Sequence, residues 1–244
     1  MSYKRGAEKT FKLLSILLAL LALGVLYGCD GGTSVDYVTL VVQPGEAGKD
    51  ATIGDYVGSS DYNSGYTNWL ALEEGESGYL GPVKSDVLIQ WDISELPADA
   101  TVVNARMELF VKGTGLTYYG DGNVEDAVGD VVCVLIAEDW DEGTVTWDDR
   151  PAVNEKTKTI YGIPPAGVSW ERRWWSVDVT DFIRLWHDGT LPNYGLCIKL
   201  DGTDLGDFGH YRAEFASSEA VLEPVGDPKL NCIWPKLVII YTIG

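Results

Sequence analysis

From Tyr37 onward the chain alternates apolar and polar residues in short runs broken by Gly, Pro, Asn and Asp. Val87, Ile89, Trp91 and Ile93 interleave with Asp86, Leu88, Gln90 and Asp92, and Ala105, Met107, Leu109 and Val111 interleave with Asn104, Arg106, Glu108 and Phe110. A period of two gives each run one apolar face, the mark of strands laid on a core. Further strands are predicted over Val38 to Val42, Thr52 to Val57, Val131 to Ala137, Trp174 to Val179, Tyr194 to Leu200 and Lys236 to Ile243. This many strands predicts an all-β fold of two packed sheets about 10 Å apart. One segment, Asp178 to Gly189, breaks the pattern. Thr180 is placed to cap a two-turn helix, Phe182, Ile183 and Trp186 share its apolar face, His187 lies near its C-terminus as a capping cation, and Gly189 supplies a left-handed stop. Asp148 to Ser169, with Pro151, Pro164 and Pro165, is predicted to be an irregular surface excursion.

The first residues are different in kind. Lys4, Arg5, Lys9 and Lys12 precede an uncharged run from Leu13 to Tyr27. Fifteen residues make about 22 Å of helix, short of the roughly 30 Å hydrocarbon core, so the run reads as an export signal and not a span. Its end, Leu26-Tyr27-Gly28-Cys29, resembles the lipobox of bacterial lipoproteins, which implies cleavage before Cys29 and acylation of its thiol. The expected organisation is a signal peptide over 1–28, a lipidated cysteine and flexible stalk over 29–36, and one domain over 37–244. Acyl chains at about 0.8 kcal/mol per buried methylene make a firm tether, so the membrane is expected to be met through the lipid alone and the domain to lie outside the cytoplasm.

Charge narrows the partners. Lys and Arg number 18 against 37 Asp and Glu, a net charge of −19. Such a field repels phosphate backbones, so nucleic acid is excluded, and polyanionic glycans become poor ligands. Beyond Cys29 the cysteines are Cys133, Cys197 and Cys232. One disulfide and one buried thiol are expected; Cys197 with Cys232 is the pair taken forward, though spacing leaves the choice open.

Several segments occur in an order that resembles the DNRLRE domain, related to carbohydrate-binding module family 96. They are Lys49-Asp50-Ala51-Thr52-Ile53, Asn63-Ser64-Gly65, Leu88 to Pro97 with Ala105 to Leu109, Trp140 to Trp147 with Pro151, Asp178-Val179-Thr180 with Trp186, Asn193-Tyr194-Gly195, and Pro228-Lys229 or Pro235-Lys236 before the last strand. The resemblance implies a secreted antiparallel β-sandwich of jelly-roll type with no catalytic machinery, whose module-like members bind uronic-acid polymers through basic and polar side chains. The acidity of this chain points instead to neutral polysaccharide or a cell-surface glycan.

Within those segments Trp140, Trp147 and Trp186 read as packing residues with their indole N–H tied to backbone. Outside them, Tyr118, Tyr119, Asp121, Trp170 and Trp174 are the candidate carbohydrate-binding residues, because sugar C–H faces stack on aromatic planes while carboxylates accept from hydroxyls. Calcium is the candidate cofactor, with Asp121, Asn123 and Glu125 in one acidic loop and Asp201, Asp204 and Asp207 in another as oxygen ligands. Asp50, Asp55, Asp61 and Asn63 form a further candidate set. The only histidines are His187 and His210, and no nucleophile, zinc or P-loop motif is present, so no catalytic residue is assigned. The rival expectation is self-assembly into a filament or surface layer, with Val38 to Val42 pairing in trans by strand addition.

Overall fold

The described residues form twelve strands and one helix: β1 Tyr37–Val42, β2 Lys49–Tyr56, β3 Ser59–Asn63, β4 Leu70–Ser77, β5 Gly81–Gln90, β6 Ala100–Tyr118, β7 Val128–Ile136, β8 Val153–Gly162, β9 Arg173–Asp178, α1 Thr180–His187, β10 Leu196–Asp204, β11 Gly209–Phe215 and β12 Lys236–Ile243. The computed structural model describes residues 35–44, 48–56, 59–63, 65–77, 81–118, 128–162, 173–204, 209–220 and 233–244. Every strand pairing is antiparallel. The architecture is the all-β sandwich that the alternation predicts, with one difference: its layers are hydrogen-bonded into a single curled sheet, ordered β1-β12-β6-β11-β4-β5-β10-β7-β8. Two strands make the curl. β5 carries β2 along one edge, while β4 takes the first half of its other edge and β10 the second. β6 carries β12 and then β11 along one edge and β9 on the other.

The predicted apolar faces of β5 and β6 both enter the core between the layers. Val87, Ile89, Trp91, Ala105, Met107, Leu109 and Val111 are buried there with Leu196, Ile198, Leu237 and Ile239. The opposite face of β5 is covered as well. Leu88 packs with Ala51, Ile53, Val132, Val134, Ile136 and Cys197 beneath Trp140 and Val145, from the segment that joins β7 to β8. That segment, residues 137–152, is a flap over the outer face of the sheet, which explains why Leu88 breaks the apolar–polar alternation.

Several expectations are corrected. β8 runs through the stretch predicted to be irregular and pairs with β7 from Val153↔Ile136 to Gly162↔Asp130. Its sequence hides it, since Asn154, Glu155, Lys156, Thr157 and Lys158 carry no apolar face; charge on an edge strand is a common guard against edge-to-edge pairing. The strand predicted over Val38 to Val42 forms and pairs with β12, its other edge having no strand partner among the described residues. Thr180 does not cap α1: it is the first helical residue, Val179 is the cap, and the Thr180 Oγ1 accepts the Ala105 N–H of β6 at 2.8 Å. Asp178 Oδ1 takes the Thr180 N–H at 2.9 Å in its place. Phe182, Ile183 and Trp186 are buried and Gly189 has φ +74°, as predicted. The His187 ring bonds the Ala100 carbonyl of β6 at 3.0 Å, not the end of its own helix.

The tryptophans divide. Trp140 is buried with its indole N–H on the Tyr194 carbonyl at 2.9 Å. Trp186 is buried, but its indole N–H has no partner among the described residues. The bridge between Cys197 and Cys232 is not formed, for Cys133 and Cys197 are free, buried thiols. Cys133 stands opposite Ile198 and Cys197 opposite Val134, so period two sends the two thiols to opposite faces of the sheet. Cys197 lies in the cluster under the flap, whereas Ile233, the neighbour of Cys232, packs with Ala216 and Ala220 in a separate one. Cys232 is outside the described residues.

Candidate carbohydrate-binding face

The outer face of the β9–β6–β12 sheet follows directly from the register. Phe110 opposes Trp174, Glu108 opposes both Ser176 and Lys236, and Arg106 opposes both Asp178 and Val238. Because directly opposed residues share a face, and Met107, Leu109, Trp175 and Val177 point to the core, the even-numbered positions form one outward strip. Trp174 is its aromatic centre, 37% exposed. The indole is braced edge-to-face by Phe110 at 5.5 Å between centroids, and the Lys236 ammonium stands 3.8 Å above its centroid. Trp175, the next residue, packs inward and stacks on Phe215 at 5.6 Å. Period two thus gives the two tryptophans opposite tasks.

Beside Trp174 the strip is polar. Arg106 Nε donates to Glu108 Oε1 at 2.6 Å, and Ser176 and Asp178 are exposed. Asp178, about 13 Å along β9 from Trp174, also lines a polar groove of about 550 Å³ with Asn104, Thr159, Asp181 and Arg184. An aromatic plane, a hydroxyl, two cations and two carboxylates along one strip supply stacking, donors and acceptors together, the combination that polyhydroxylated rings need.

Of the sequence-predicted sugar residues, Trp174 alone has a described side chain. Tyr118 ends β6 opposite Gly209. Tyr119, Asp121 and Trp170 lie outside the described residues, as do Asn123, Glu125 and Asp207 of the predicted calcium loops, and Cys29. Asp204 is in β10 opposite Val128. Asp201 is exposed and forms a 3.4 Å ion pair with Lys158, so its carboxylate faces a cation. Asp50, Asp55, Asp61 and Asn63 do not act as one set: Asp55 and Asp61 are exposed, and the Asn63 side chain donates to the Glu142 and Val145 carbonyls at 3.0 and 2.6 Å.

Two buried polar groups went unread in the sequence. Glu73 on β4 accepts from His210 Nε2 at 2.6 Å and from Arg212 Nη1 at 3.2 Å, with Tyr56 Oη at 3.4 Å. Burial disfavours the charged form of Glu73, but the His210 hydrogen bond and the Arg212 charge outweigh it and hold the carboxyl below its ordinary range. The second is Asp86, under the flap in a pocket of about 250 Å³ whose lining includes Arg150, Glu155 and Lys199. Burial pushes the Asp86 carboxyl up to about 6. Neither group sits in the Trp174 strip. Both histidines serve architecture: His210 holds Glu73 and His187 holds Ala100.

An antiparallel β-sandwich that presents an exposed, braced tryptophan among polar side chains has the chemistry to stack and hydrogen-bond a sugar ring. The chain belongs to carbohydrate-binding module family 96, whose profile matches residues 45–225. No curated protein matches it. The matched span begins before β2 and ends after β11, leaving out β1 and β12, which pair with each other and, through β12, with β6.

Proposed function

We propose that this chain is a non-catalytic, glycan-binding module displayed outside the cytoplasm by lipid on Cys29, and that Trp174 is its stacking platform for neutral polysaccharide. The observation that supports this reading is the exposed indole that β9 presents on the outer face of the β9–β6–β12 sheet. Lys236 occupies the place above that ring where a pyranose would lie. Displacing it forfeits one exposed cation–π contact of about 0.5–1 kcal/mol. The freed ammonium is then at the edge of the site, able to donate to sugar hydroxyl oxygens. Arg106, Glu108, Ser176 and Asp178 extend the contact along the strip.

Native gels cast with a panel of neutral polysaccharides test the reading. The wild-type protein is expected to be retarded by at least one of them. Trp174→Ala is expected to weaken that binding by about 2 kcal/mol, roughly thirty-fold in Kd, while moving Tm by no more than a few degrees. Retention unchanged by the substitution would remove Trp174 from the site, and release of reducing ends would overturn the non-catalytic assignment.

A second reading, assembly with other copies, is favoured by β1. It pairs only with β12 among the described residues, and Tyr37, Val38 and Val41 are exposed along it, Tyr37 at 64%. An unpaired edge of this kind accepts an added strand. Sedimentation that stays monomeric over a hundred-fold concentration range would dismiss this second reading.

A further inference from the structure

Asp50, Glu142 and Glu219 come from three distant parts of the chain: β2, the flap, and the turn after β11. One carboxylate oxygen from each lies within 4.8 Å of the others. Hydrogen bonds position these groups without neutralising them. The Asp50 N–H donates to Glu142 Oε1 at 2.7 Å, the Ser218 N–H donates to Asp50 Oδ2 at 2.8 Å, and Ser218 Oγ donates to Glu219 Oε1 at 2.9 Å. Asp50 Oδ1 and Glu219 Oε2 are left buried with no partner among the described residues, and Asp50 as a whole is fully shielded from solvent. The adjacent Lys49 directs its ammonium elsewhere, onto Asp139 at 2.8 Å and the Trp140 carbonyl.

A buried carboxylate oxygen without a partner is costly, and three converging carboxyls repel one another. A fold that builds such a place from three separate segments, and spends backbone N–H groups on aiming it, needs a positive charge at its centre. We infer that Asp50, Glu142 and Glu219 form a calcium site. The donor set is all oxygen, with no thiol or imidazole, which selects a hard cation. Calcium takes its oxygens at about 2.3–2.6 Å, so two ligands on one shell stand up to roughly 5 Å apart, the span these three carboxylates occupy. Bound there, the ion joins β2 to the flap and to the turn after β11, holding the flap against the outer face of the sheet. The site uses none of the residues of the Trp174 strip and does not rest on the glycan reading.

The test uses protein stripped with a chelator and then titrated with calcium, read by calorimetry and by thermal unfolding. Calcium at about a hundred times its Kd is expected to raise Tm by roughly 5–10 °C. Asp50→Asn is expected to bind one equivalent fewer and to lose that rise, yet to melt no lower than wild type in chelator, because it is isosteric and keeps an acceptor for the Ser218 N–H. Glu219→Gln, on the turn, gives the same reading if Asp50→Asn fails to fold. A Tm of stripped protein that calcium does not move, or a folded variant of either kind that keeps wild-type stoichiometry, would overturn the site.

Discussion

Trp91→Ala is expected to destabilise the domain by about 3–5 kcal/mol, the usual cost of truncating a fully buried tryptophan. Trp91 follows β5 and is completely buried in the core between the layers. Its backbone cannot retreat to fill the gap, because the Trp91 carbonyl accepts from the Asn193 side chain at 2.8 Å. The neighbouring Gly195 has φ +93°, and a Cβ on it would meet the Ile89 carbonyl oxygen at 2.3 Å, so the two chains are locked at close approach. Trp91→Phe is expected to cost far less, since the indole N–H it removes has no hydrogen-bond partner among the described residues and is itself a penalty. Urea unfolding of both variants measures the contrast. An alanine variant within about 1 kcal/mol of wild type would mean that the layers collapse onto the vacated space.

The second large effect belongs to Glu73. Removing its carboxylate by Glu73→Ala leaves His210 and Arg212 without their shared acceptor, and it is expected to cost about 2–3 kcal/mol at neutral pH. The figure is kept at the lower end because the Arg212 side chain is 34% exposed and water screens its charge. The pH dependence has a definite sign. A carboxyl held below its ordinary value of 4.5 stabilises the fold at pH above that value, and this contribution disappears as pH falls through the lower folded value. Wild type is therefore expected to lose stability more steeply than Glu73→Gln as pH falls through 4.5 and below, the two curves converging in acid. Parallel curves would show that the ion pair contributes nothing beyond a neutral hydrogen bond.

The alternation that made the strands legible also set the limits of what could be read. Where one face is buried and the other wet, as in β6, residue type reports the strand and its face at once. β8 escaped because its polar residues lie on an exposed edge, and a strand without an apolar face has no periodic signal. Thr180 was misread because a threonine hydroxyl that stitches a helix to β6 looks, in sequence, the same as one that caps the helix. The two Asn-x-Gly segments were recognised without their physical reason. In each, the Asn Oδ1 accepts the Gly N–H two residues on at 3.1 Å, while the Asn Nδ2 clamps a distant carbonyl, Val145 for Asn63 and Trp91 for Asn193. The aromatic candidate Trp174 was identifiable because its neighbour had to take the other face. Asp50, Glu142 and Glu219 could not be gathered from sequence, because tertiary structure alone brings residues so far apart together.

Cys133 and Cys197 sit one strand apart yet look in opposite directions, one into the interlayer core and the other beneath the flap. The pair is a built-in two-channel reporter of breathing motions. A maleimide that captures Cys197 while sparing Cys133 would time the lifting of residues 137–152 alone, whereas simultaneous capture of both would time the opening of the whole domain.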